Sequence, residues 1–106
     1  MKVHNKLVRD LIPAIIRSAG RTPICETLSE EAYLAALETK LQEEVHEYLS
    51  TPCMEEIADI LEVIEAICKA RGYDKNELLA IKSKKTAARG AFNDRIFLKH
   101  VLDEND

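Results

Sequence analysis

Glycine and proline are scarce, three of each in 106 residues. A sandwich or barrel of many short strands needs turn residues every few positions, and this chain does not supply them. The glycines stand apart from one another, which excludes a glycine-rich phosphate loop. The three cysteines, Cys25, Cys53 and Cys68, are odd in number and lack CxxC spacing. A disulfide framework and a structural zinc site are therefore not expected, and reduced thiols in a cytoplasmic protein are. No apolar run approaches the roughly 20 residues that span a membrane. The opening Met1-Lys2-Val3-His4-Asn5 has no apolar stretch of the signal-peptide kind. Basic residues are the minority, 15 against 19 acidic ones, for a net charge of −4. A duplex nucleic acid partner is disfavoured on that ground.

What the chain does have is charge and helical periodicity. Charged residues are 32% of it and apolar ones 46%. Its size predicts a single domain over residues 1–106 with a modest core, which self-association would supplement. Leu7 to Ser18 reads as a short helix, with apolar Leu11, Ile12, Ile15 and Ile16, Pro13 in its first turns and Gly20 past its end. A loop from Arg21 to Glu26 follows, with room for a short extended piece. Ser29 is an N-cap for a long helix to about Leu49, with Glu30 and Glu31 in its first turn and the stripe Leu34, Leu37, Leu41, Val45, Tyr48. Thr51 as cap and Pro52 at N1 open a second long helix to about Ala70, striped by Ile57, Ile60, Leu61, Ile64, Ile67 and Cys68 and closed by Gly72. Asp74 and Glu77 form a capping box for a third, Lys75 to about Arg89, ended by Gly90. The tail from Phe92 to Leu102 is apolar enough to pack on the bundle, and Asp103-Glu104-Asn105-Asp106 reads as a frayed acidic end. The fold class is all-α, a bundle built on a central antiparallel hairpin.

Chemistry concentrates near the turn of that hairpin. Glu44 and Glu47 are three apart on the first long helix, and Glu56 and Asp59 three apart on the second. Residues at i and i+3 share a helix face. Both pairs flank their apolar stripes in the same rotational sense, so across a tight antiparallel turn they face each other or both face away. The row Glu56, Asp59, Val63, Ile67, Ala70 turns apolar, which favours facing inward. Four carboxylates in a partly dry pocket repel, and a divalent cation relieves that repulsion. All-oxygen ligation selects Mg²⁺, with Mn²⁺ possible, over zinc. Adjacent Glu43 is placed to take a proton from water or to hold a further metal. Lys82, Lys85 and Arg89 share a face of the third helix, with Lys84 beside it, and Lys6 and Arg9 repeat that spacing near the start. Metal with fixed cations suits a polyphosphate ligand.

The combination resembles a known family. Glu44-x-x-Glu47 followed by Glu56-x-x-Asp59 is similar to the motif of the all-α nucleoside triphosphate pyrophosphatases, the MazG and phosphoribosyl-ATP pyrophosphohydrolase superfamily. Asn5-Lys6-Leu7-Val8-Arg9-Asp10-Leu11-Ile12-Pro13 resembles the opening of its small phosphoribosyl-ATP pyrophosphohydrolase-like branch, and Arg89-Gly90-Ala91-Phe92 with Ile96-Phe97-Leu98 resembles that branch's ending. The spacer from Glu47 to Asp59 is short for the superfamily. The resemblance implies a MazG-like bundle that forms a homodimer or homotetramer, with Mg²⁺ on Glu44, Glu47, Glu56 and Asp59. It implies cleavage between the α- and β-phosphates of a nucleoside triphosphate, non-standard ones included, or of phosphoribosyl-ATP, with release of pyrophosphate. Lys6, Arg9, Lys82, Lys85 and Arg89 would then neutralise the phosphates, and Glu43, Glu44 and Glu47 serve the chemistry.

Two other readings stand beside it. The acids can be a solvated face of a non-catalytic helical interaction module. Glu43-x-x-His46 also has the spacing of di-iron carboxylate bundles, although the other long helix offers Glu62 and Glu65 instead of a second Glu-x-x-His. Five aromatics, Tyr33, Tyr48, Tyr73, Phe92 and Phe97, each suit either the core or stacking on a base.

Overall fold

The computed structural model describes residues 1–103, so Glu104, Asn105 and Asp106 of the acidic end lie outside the described residues. The protein is all-α, with four helices and no strand among the described residues: α1 (Ile12–Ser18), α2 (Glu30–Ser50), α3 (Met54–Arg71) and α4 (Lys75–Arg89). The chain forms two compact units, Met1–Asp74 and a second that begins at Lys75.

In the first unit, helix boundaries follow from capping chemistry. Pro13 falls at the start of α1. The helix therefore begins at Ile12, not at Leu7, because an earlier start would put the proline ring against a carbonyl one turn back. Gly20 ends it at φ +81, a left-handed conformation open to glycine. The Gly20 and Arg21 amides then close onto Arg17 and Ile16 carbonyls at 2.9 and 3.2 Å. Gly72 repeats the device after α3 at φ +72, with the Tyr73 amide on the Cys68 carbonyl at 2.8 Å. At the N-terminus of α2 the Ser29 hydroxyl accepts from the Ala32 amide at 3.2 Å.

The α2–α3 turn differs from expectation. Thr51 ends α2, its amide donating to the Glu47 carbonyl at 2.9 Å, and α3 starts only at Met54 with no side-chain cap. Pro52 disfavours a helical residue before it, and Thr51 is non-helical, at φ −141 and ψ 78. Three non-helical residues span about 10 Å, which matches the separation of two packed helix axes. The helices pack against each other as an antiparallel hairpin.

The most deeply buried positions of that hairpin are Leu37, Glu44 and Val63. Of the expected apolar stripes only Leu37 is buried. Leu34, Leu41, Tyr48, Ile60, Ile64, Ile67 and Cys68 are half-buried, while Val45, Ile57 and Leu61 are exposed. The hairpin thus seats itself on the flank of its stripes, the flank that carries Glu44, and leaves part of each stripe uncovered within the chain.

The second unit contains α4, which ends where the Gly90 amide meets the Thr86 carbonyl at 2.8 Å. No residue of α4 is buried. The expected burial of the tail is not met: Phe92 is 97% exposed, and Ile96, Phe97, Leu98 and Val101 are exposed as well. The tail forms no helix that would gather these side chains on one face.

Candidate functional site

Glu44 reaches the site from the last third of α2, and Glu56 and Asp59 from the first turns of α3. One carboxylate oxygen from each lies within 4.8 Å of the others. Glu44 is 7% exposed although it is ionisable. Glu44 Oε2 and Glu56 Oε2 are both shielded from solvent and have no hydrogen-bond partner. Buried carboxylate oxygens without donors are costly, and an ion bridging them removes the cost. The donors are all oxygens, which suits a hard dication. No histidine joins this group among the described residues, and His46 is exposed.

The electrostatics report the same crowding. Burial, then the charge of Glu47, and further off that of Asp59 hold the Glu44 carboxyl above the usual carboxylate range, with Lys40 opposing them. Loss of water also raises Glu56, followed by the charges of Glu47, Asp59 and Glu44 and a hydrogen bond its protonated form makes with Glu47. Glu47 is therefore coupled to the cluster electrostatically, while its own side chain is exposed and not one of the three converging groups.

Two cations brace the acids. The Arg9 guanidinium donates to Asp59 Oδ1 at 2.7 Å, tying the N-terminal segment to α3 across 50 residues. Lys40 Nζ, largely buried, lies 3.1 Å from Glu43 Oε2 and 3.5 Å from Glu44 Oε1. Burial opposes the Lys40 charge, yet the pairing with Glu43 and Glu44 outweighs it and raises its pKa. Glu43 thus faces Lys40 and is not one of the three converging carboxylates. Sequence reading did not single out Lys40, although it stands at i−4 from Glu44, the spacing of a helical ion pair.

Two adjoining cavities open beside the acids, of about 480 and 230 Å³. Arg9, Lys40, Glu44 and Asp59 line both. Lys6 lines the smaller, and Leu37, Val63 and Tyr33 line the larger. Of the expected phosphate ligands, Lys6 and Arg9 are therefore placed beside the carboxylates. Lys82, Lys85 and Arg89 are exposed residues of α4, in the second unit.

Over 42 residues the chain is 60% identical to an uncharacterized protein of Mycolicibacterium smegmatis, a stretch that is 40% of this chain and 43% of that protein. The chain thus matches less than half the length of this curated relative. No family model matches the chain. No solved structure matches it. No helix among the described residues is long and apolar enough to cross a membrane.

Proposed function

We propose that this protein is a Mg²⁺-dependent nucleotide pyrophosphohydrolase of the MazG and phosphoribosyl-ATP pyrophosphohydrolase kind. The observation that carries the reading is the convergence of Glu44, Glu56 and Asp59 within 4.8 Å, with two shielded carboxylate oxygens left without partners. That arrangement is poor as a solvated acidic face, which would keep its oxygens in water, and this weighs against a bare interaction module. The exposure of His46 and the absence of any histidine from the cluster weigh against a di-iron centre.

Glu44, Glu56 and Asp59 would hold the ion, with Glu47 at its edge. Bound there, Mg²⁺ supplies charge neutralisation for phosphate oxygens and acidifies water. Glu43, kept in place by Lys40, accepts a proton from the attacking water. Water adds to the α-phosphorus, the α–β bridging P–O bond breaks, and nucleoside monophosphate and pyrophosphate result. Lys6 and Arg9 neutralise the departing charge, and the α4 cations Lys82, Lys85 and Arg89 belong to the same proposal. Mn²⁺ is an acceptable substitute for Mg²⁺.

Self-association as a homodimer or homotetramer completes the proposal. It is supported by the uncovered part of the α2 and α3 stripes, where Val45, Ile57 and Leu61 are exposed. A cytoplasmic setting fits the free thiols of Cys25, Cys53 and Cys68.

The test is pyrophosphate release with Mg²⁺ over standard and modified nucleoside triphosphates and phosphoribosyl-ATP. Wild type is expected to release pyrophosphate from at least one. Glu47→Gln and Asp59→Asn are expected to abolish release with helical content unchanged. Full rates in both variants would refute the mechanism.

A further inference from the structure

Two of the three converging carboxylates carry a cation on one oxygen. Lys40 Nζ lies 3.5 Å from Glu44 Oε1, while Glu44 Oε2 is shielded from solvent and has no partner. The Arg9 guanidinium donates to Asp59 Oδ1 at 2.7 Å. The two cations reach the cluster from different elements. Lys40 stands one turn before Glu44 on α2, and Arg9 belongs to the segment ahead of α1. The Lys40 side chain is only 18% exposed, so its ammonium has given up much of its hydration. A single i,i+4 ion pair returns little stability, which makes stability a weak reason for a charge in that place. The terminal torsion of a Glu or Asp carboxyl is broad. A carboxylate among like charges turns away from them unless something fixes that torsion. A cation on one oxygen fixes it, and with it the position of the other oxygen.

We propose that Lys40 and Arg9 are positioning residues for the metal centre: each grips one oxygen of Glu44 or Asp59 and so aims the other at the ion. This rests on the reading of the cluster as a metal site and adds to it two residues that do not themselves ligate the metal. Carboxylate ligands that are themselves hydrogen-bonded hold a metal more firmly, and loss of the outer partner costs about 10–100-fold in affinity. Charge alone predicts the opposite sign. Two cations beside the site repel a dication, so removing either would tighten metal binding if they served only to balance the acids. Positioning predicts that removing either weakens it.

The experiment measures Mn²⁺ binding to the chelator-treated full chain, read from the free Mn²⁺ signal in electron paramagnetic resonance with no nucleotide present. Lys40→Met, Lys40→Arg and Arg9→Met are the variants, Met keeping an unbranched apolar stem without the charge. The Arg9 side chain is 57% exposed, so Arg9→Met leaves the fold intact even if Lys40→Met does not. Wild type is expected to bind Mn²⁺, and each folded Met variant to bind it about ten-fold or more weakly. Lys40→Arg, which keeps the charge and the donors, is expected to retain most of the wild-type affinity. Unchanged or tighter binding in either folded Met variant overturns the proposal, as does a loss in Lys40→Arg equal to that in Lys40→Met. If wild type still releases pyrophosphate in that case, only the positioning role falls. Wild type that takes up no Mn²⁺ overturns both the positioning role and the metal-dependent reading. Should the expected binding pattern hold while no nucleotide yields pyrophosphate, the positioning role stands and the hydrolysis falls.

Discussion

Replacing Glu44 by Gln tests the proposed metal centre without using catalysis as a readout. In the ion-free protein the Glu44 charge is disfavoured by burial and by Glu47, and supported by Lys40 at 3.5 Å. The lost i,i+4 pair is worth about 0.3–0.5 kcal/mol. Removal of the repulsion and of the desolvated charge offsets it, so ion-free E44Q is expected to melt at or above the wild-type temperature. Under the proposal, metal is expected to reverse the order. A ligand at 100 times its dissociation constant stabilises the native state by about 2.7 kcal/mol. At about 4–8 °C per kcal/mol for a domain of this size, wild type should gain roughly 11–22 °C. A ten-fold weaker site at the same Mn²⁺ concentration stabilises by only about 1.4 kcal/mol, so the E44Q gain should be about half as large. Scanning calorimetry on chelator-treated protein, with and without MnCl₂, reads both quantities. Equal metal-induced gains in the two proteins would refute the reasoning, as would no gain in wild type.

Other predictions follow from the same arrangement. Glu44 and Glu56 have folded-state pKa values raised above the ordinary 4.5. The stability they contribute to the ion-free protein is present below that value and is lost as pH rises through the folded values. The stability of wild type relative to the double variant E44Q/E56Q should therefore fall as pH rises from about 4 to 7, measured by urea unfolding without metal; a pH-independent difference contradicts this. Replacing Lys82, Lys85 and Arg89 together by Ala should raise KM for the Mg-nucleotide at least ten-fold while leaving the Mn²⁺ melting gain unchanged; an unchanged KM removes α4 from the phosphate role. Arg9→Gln removes the guanidinium from Asp59 and should cost no more than about 1 kcal/mol of ion-free stability, because the pair is partly exposed; a larger loss in calorimetry would make Arg9 a structural anchor. Gly72→Ala meets no atom within 4 Å but must hold φ +72. It should cost about 1–2 kcal/mol, seen as a lower melting temperature, through backbone strain alone.

Much of the architecture was legible before any coordinates. Ser29, Gly20, Gly72 and the 3–4 spacing of apolar residues act within one or two turns of chain, so they specify where helices run without reference to distant partners. The carboxylate pairs were legible for the same reason, since i,i+3 spacing places two side chains on one face. Where sequence reading missed the start of α3, longer-range competition had decided. The three-residue link that lets α2 and α3 pack side by side set the α3 start at Met54, while Pro13, a local signal, set the α1 start at Ile12.

Local sequence therefore determined the helices and which acids could share a face. Tertiary packing alone decided that the hairpin seats on the Leu37–Glu44–Val63 flank, and so which acids meet: Glu44, Glu56 and Asp59, with Glu47 beside them. It also decided that Arg9 crosses 50 residues to Asp59 and that Tyr33 faces a cavity. Helical periodicity sets angles about one axis, whereas the rotation of one helix against another depends on how both surfaces interlock, and that is a property of the pair.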